Sequence, residues 1–181
     1  MQIKKTSIDD VLVFEPTVHG DHRGFFMETW RDEWFKKISP DLQFVQDNHS
    51  KSIQGTLRGL HYQVKKTQGK FIRVVQGEIF DAVVDMRKGS ATFGQWTGVI
   101  LSADNKKSLW VPPGFAHGFY VLSDTAEITY KCTEYYAAEY ERSLLWNDPD
   151  IGIDWPLLDK VVIISDKDSQ ASQFKDCETL F

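Results

Sequence analysis

Cysteine is scarce in this chain: Cys132 and Cys177 are the only two, and they do not form a C-x-x-C pair. A disulfide framework and a zinc ribbon are excluded on that ground. Long apolar runs are also missing. No stretch approaches the roughly 18 apolar residues that would cross a bilayer, and Met1–Lys5 leads into polar Thr6–Asp10 instead of an apolar targeting segment. The expectation is a cytoplasmic protein with no membrane partner. Positive charge is in deficit, with 21 Lys and Arg against 26 Asp and Glu, a formal net charge of -5. Duplex binding needs the opposite excess, so nucleic acid is not an expected partner. A small anionic ligand remains compatible, because a few local cations suffice to hold it. Linkers rich in Pro, Gly or Ser, low-complexity tracts and internal repeats are absent too. Residues 1–181 therefore read as one domain with N- and C-terminal extensions packed on it.

What is present is apolar and rich in β-formers. Hydrophobic residues make up 41% and aromatics 13% of the chain, enough for a substantial interior. Trp30, Trp34 and Ile38 recur at i, i+4 and i+8, predicting one helix over Thr29–Ile38 that Pro40 closes. From Val45 onward, short β-rich runs alternate with turn residues: Lys70–Val75, Glu78–Met86, Gly94–Leu101, Ser108–Val111, His117–Leu122 and Glu127–Thr133. That spacing predicts an all-β sandwich, barrel or jelly roll, and the alternation of strand and helix that a parallel sheet requires is lacking. Val161–Ile164, near the C-terminus, is expected to pack back on the body. Such a barrel gathers polar side chains from distant strands at its mouth, where a ligand pocket forms.

Two histidines fall in suggestive strings. His117 ends Pro112-Pro113-Gly114-Phe115-Ala116-His117, a P-x-G-x-x-H pattern that resembles the second motif of the cupin jelly-roll barrels. The first cupin motif supplies H-x-H to a metal, but here the matching place reads His61-Tyr62-Gln63. With Gln63 replacing the second imidazole, a divalent ion has too few good ligands, which weakens the metal reading without eliminating it. The plainer alternative, in which both histidines are hydrogen-bonded structural residues, stays open on these residues alone. So do the plainer readings of Asp168 as part of a polar turn and of Tyr130 and Tyr136 as packing aromatics. Arg58 and Lys70 flank the His61 strand, and two cations beside a histidine suit a phosphorylated, carbonyl-bearing substrate.

Read together, the segments Gly20–Glu28, Phe44–Ser50, Leu57–Gln63, Gln68–Lys70, Val84–Arg87, Ala91–Gly94, Trp110–Phe119, Tyr130–Cys132, Trp146–Pro149, Asp154–Leu157 and Ser165–Asp168 resemble the dTDP-4-dehydrorhamnose 3,5-epimerase family, in the family's order. The resemblance implies a cupin-like jelly-roll barrel with a few short peripheral helices. It implies a homodimer that acts on a dTDP-sugar without cofactor or metal. Carried over residue by residue, it makes His61 the general base with Asp168 as its partner. Tyr130 becomes the acid on the opposite face, and Lys70 the cation near the C4 carbonyl. Arg23, Phe26, Glu28, Gln46, Asn48, Arg58, His117, Glu141 and Lys167 match substrate-contacting positions, with Arg23 and Arg58 expected on the diphosphate. Tyr136 matches the ring that stacks on thymine. Ala91 and the loop Val64–Thr67 depart from the family's pattern, where proline is common.

The chemistry stands without the family name. A proton next to a ketone is acidic enough for an imidazole base, provided the enolate oxygen meets a positive charge. Inversion then needs an acid on the far face, since one group on one face would restore the original configuration. C3 and C5 both flank C4, so one enolising apparatus can serve each in turn. Three competitors remain at this stage: an epimerase of a single carbon, a metal-dependent cupin enzyme, and a sugar-nucleotide binding module. The module would not need His61, Asp168 and Tyr130 together.

Overall fold

A computed structural model describes residues 1–180. In chain order its strands are β1 (Gln2–Lys5), β2 (Leu12–Glu15), β3 (Val18–Asp21), β4 (Gly24–Met27), β5 (Gln46–Ile53), β6 (Leu57–Gln63), β7 (Lys70–Gln76), β8 (Glu78–Asp85), β9 (Trp96–Ser102), β10 (Ser108–Val111), β11 (Phe115–Val121), β12 (Thr125–Cys132) and β13 (Glu141–Ser143). Two short helices, α1 (Asp32–Lys36) and α2 (Asp166–Ser169), lie at the periphery. A six-stranded sheet runs β1-β2-β10-β7-β12-β5 and a five-stranded sheet runs β13-β6-β11-β8-β9, while β3 and β4 pair only with each other. Every ladder between these strands is antiparallel. The architecture is the expected all-β, cupin-like jelly roll. Among the described residues no helix is long and apolar enough to cross a membrane.

Strand alternation sends one side of each sheet inward. Ile72 and Val74 of β7, Ile79 and Val83 of β8, Phe115 and Phe119 of β11 and Ile128 of β12 meet in the central core, with Tyr130 packed against it. The outer side of the five-stranded sheet is covered by the C-terminal segment. Ile151, Trp155 and Leu180 pack on Leu60, Tyr62, Val84 and Tyr120, and Ile163 pairs with Thr56. The outer side of the six-stranded sheet carries Phe14, Phe71 and Trp110, capped by Phe35 with Trp30 and Phe44. Burying each such aromatic stabilises by roughly 1.5–3 kcal/mol.

The aromatic cap shortens the expected helix. Thr29–Ile38 yields only Asp32–Lys36, because Trp30 and Ile38 reach the cluster from irregular backbone on either side. Phe35, not Trp34, is the fully buried helical side chain; Trp34 is half-buried beneath the Arg31 guanidinium. Gly59 and Gly118 let β6 and β11 approach closely. Gly59 has φ +122°, and a Cβ there would lie 2.5 Å from the Gly118 Cα. The β6–β11 register shifts between His117 and Phe119, next to this contact, and sets His61 directly opposite His117.

Candidate active site

The interior residues near one end of the barrel are polar. His61 of β6 faces His117 of β11, and Lys70 of β7 faces Cys132 of β12. Tyr130 of β12 is partnered by Asn48 of β5, and Glu141 of β13 by Gln63 of β6. Alternation along six strands brings together what the sequence scatters from Asn48 to Glu141.

His61 Nε2 lies 2.7 Å from Asp168 Oδ1. Asp168 is 3% exposed although it sits on the four-residue α2. Ser165 caps that helix by accepting from the Asp168 backbone N–H at 3.1 Å, and Asp168 Oδ2 accepts from the Gly59 N–H at 3.2 Å. Burial pushes the Asp168 carboxyl up, but bonds from His61, Gly59 and Ser165 outweigh it and hold the acid below its ordinary value. A carboxylate only accepts, so Nε2 is the nitrogen that donates, and it is the other ring nitrogen that can serve as a base. Arg58 and Lys167 line the same cleft of about 390 Å³ as His61 and Asp168. The composition of Ser165–Asp168 reads as a polar turn; the structure folds it into a capped helical turn that delivers a buried carboxylate.

His117 forms a second pair: its Nε2 is 3.0 Å from Asp81, which is fully buried. Burial lowers the His117 pKa, against the opposing charge of Asp81. The Lys70 Nζ makes no hydrogen bond within the described residues and is also pushed down by burial, while Cys132, Asp81 and Glu141 pull it up. Burial raises the Tyr130 phenol, so it holds its proton at neutral pH. Glu141 accepts from Tyr136 Oη at 2.9 Å and pairs with Lys167, beside Asp168. Gln46 Nε2 donates to Asn48 Oδ1 at 3.1 Å, and Gln46 Oε1 accepts from the Tyr136 N–H at 3.0 Å. An imidazole oriented by a carboxylate, a buried lysine amine and a protonated phenol together can remove a proton next to a carbonyl, stabilise the oxyanion and return a proton.

Three expected residues are not gathered there. Arg23, Phe26 and Glu28 lie on or beside the β3–β4 hairpin, which pairs with no other strand. Phe26 is 72% exposed, Arg23 turns back onto Asp21, and Glu28 pairs with Arg31. Asp81 escaped the sequence reading. Its signal was available, since it shares strand parity with the core residues Ile79 and Val83 on β8. Among the described residues no three His, Cys, Asp or Glu side chains form a group that could hold a metal ion.

The jelly roll and the polar groups gathered inside it fit a cupin-type epimerase or isomerase barrel. The chain belongs to the dTDP-4-dehydrorhamnose 3,5-epimerase family, whose sequence profile matches residues 5–176. It is 56% identical over 178 residues to a dTDP-4-dehydrorhamnose 3,5-epimerase of Neisseria gonorrhoeae, covering 98% of this chain but 54% of that relative. The enzyme of the same name from Pseudomonas aeruginosa is 51% identical, with 98% of both chains covered. In three dimensions the chain superposes on the dTDP-6-deoxy-D-glucose-3,5-epimerase of Legionella pneumophila, solved in complex with dTDP-4-keto-L-rhamnose. The TM-score is 0.94 at 49% identity, covering 98% of this chain and 94% of that one.

Proposed function

We infer that this chain is an isomerase that inverts C3 and C5 of dTDP-4-dehydro-6-deoxy-D-glucose, giving dTDP-4-dehydro-L-rhamnose for dTDP-L-rhamnose synthesis. The observation that carries this reading is the 2.7 Å contact between His61 and Asp168 on the polar wall of the barrel. His61 takes the proton from C3 or C5, and Asp168 holds the imidazole in its neutral tautomer and stabilises the imidazolium that follows. Lys70 faces the C4 oxygen as it gains charge. Tyr130 returns a proton from the opposite face and recovers its own from solvent. Arg58 and Lys167 receive the anionic part of the substrate beside the dyad, and Tyr136 offers its half-exposed ring to thymine.

The test is incubation with the 4-keto substrate in deuterated water. Deuterium should enter at both C3 and C5, with NMR showing both centres inverted. Label at one carbon alone would make the chain a single-carbon epimerase. No label at either would remove the enolisation reading.

The exposed hairpin bears on assembly. It carries Arg23 and Phe26 away from the barrel of their own chain, and the resemblance assigns both to substrate. A homodimer in which each hairpin closes the neighbour's site accounts for this arrangement. Arg23→Ala and His61→Ala, each impaired alone, should regain part of the parent turnover when co-assembled. Failure to complement, with a monomeric mass in sedimentation, would end this proposal.

A further inference from the structure

Gln63 stands two residues after His61, where metal-holding barrels of this kind place a second histidine. The residue is 4% exposed, and its amide is engaged. Nε2 donates to the carbonyls of Lys66 at 2.7 Å and Tyr135 at 3.3 Å, and Oε1 accepts from the Ala137 N–H at 2.9 Å. The segment it grips belongs to no strand or helix, so its backbone groups find no partners in a ladder. Two further glutamines serve the same segment. Gln68 Nε2 donates to the Glu134 carbonyl at 2.8 Å, and Gln46 Oε1 accepts from the Tyr136 N–H at 3.0 Å. Four consecutive residues, Glu134 to Ala137, are thus each held by a glutamine side chain, and Gln63 alone holds the residues on both sides of Tyr136.

We propose that Gln63 is a positioning residue for nucleotide binding: its amide presets the backbone around Tyr136 so that the ring stands ready for the base before the nucleotide arrives. This rests on the reading of Tyr136 as the stacking platform. The Tyr136 ring is exposed, with only its hydroxyl tied to Glu141 inside the chain, so its direction depends on the backbone beneath it. An irregular segment that must be ordered on binding gives up affinity to conformational entropy, and one ordered in advance does not. The slot that would have served a metal is occupied by an amide that serves a loop.

Gln63→Met keeps the length and fills the volume while deleting all three bonds. In calorimetry its Kd for dTDP should rise roughly tenfold, with KM following and kcat at saturation within about twofold of the parent. In a Tyr136→Ala background the same change should cost no more than about twofold further, because the platform it orients is gone. Gln63→Glu, which retains the acceptor for Ala137 and loses both donor bonds, should also weaken dTDP; it decides the matter if the Met variant does not fold. Unchanged dTDP affinity in Gln63→Met, beside a weakened Tyr136→Ala, would overturn the proposal while leaving the stacking reading in place. So would a fall in kcat at constant KM, or full additivity in the double variant. Unchanged affinity in Tyr136→Ala would remove the stacking reading and this proposal with it.

Discussion

His61 and His117 face each other across β6 and β11, and each holds a carboxylate at one ring nitrogen. Their carboxylates come from different places. Asp81 is part of β8, the strand beside His117, so the second pair belongs to the sheet itself. Asp168 arrives from α2, far along the chain, and leaves the His61 imidazole with 29% of its side chain open against 11% for His117. A base must meet its substrate and still keep its tautomer, and the more open pair, with its carboxylate from α2, is the one the proposed function gives that task. In the inner pair burial favours the uncharged imidazole of His117, and the Asp81 carboxylate lends its negative charge to Lys70.

The largest effect should come from breaking this asymmetry at the base. His61→Ala should abolish deuterium exchange at both carbons, with turnover down by about 10³-fold or more, while the fold and dTDP binding hold and the melting temperature falls modestly because buried Asp168 loses a partner. Asp168→Asn should cost less, about 10²-fold, because the imidazole remains but loses its orientation. His117→Asn should cost least in exchange and show mainly as lowered stability, since Asp81 is left buried beside a weaker partner. If His117→Asn silences exchange as fully as His61→Ala while the fold survives, the two pairs share the chemistry and the comparison fails. A sharper split is available on the far face. Tyr130→Phe deletes only the hydroxyl, so it should still exchange label into unchanged substrate while forming little epimer. Joint loss of exchange and epimerisation would make Tyr130 part of enolisation itself.

The two pairs also differ in how legible they are. His117 lies in a P-x-G-x-x-H string, and β8 and β11 were visible as apolar runs. The Asp81 pairing needed only the two-residue parity of a strand. Asp168 was invisible to local pattern, because its burial depends on a tail that crosses the outer sheet and returns at the rim. Only the resemblance supplied it. The N-terminal strands were missed for another reason. β1, β3 and most of β4 are exposed, so they carry no apolar alternation to read. The strands β7 to β12 match the sequence pattern within two residues, because each carries a buried apolar face and Gly, Pro, Asp-Asn or Ser-Asp marks the turns between them, whereas the three-residue β13 carries no such face.

The smallest expected effect on turnover lies at a third carboxylate, Asp85, four residues along β8 from Asp81. It is fully buried but accepts from Arg87 Nε at 2.9 Å, Arg87 Nη2 at 2.7 Å, Ser90 Oγ at 2.6 Å and Thr92 Oγ1 at 2.7 Å. Burial pushes its pKa up, and these bonds more than reverse it, leaving the acid at about 2 against an ordinary 3.8. A carboxyl held below its unfolded value contributes its full stability above that value and loses it as pH falls toward the folded one. The contribution, about 2 kcal/mol, is therefore intact at neutral pH and disappears between roughly pH 4 and pH 2. Asp85→Asn should lower the melting temperature at pH 7 and flatten its fall across that acid window, while dTDP affinity and deuterium exchange stay at parent levels. A variant that keeps the parent's acid slope would place the titrating group elsewhere. A variant that loses exchange at unchanged stability would mean that the Asp85 cluster reaches into the chemistry after all.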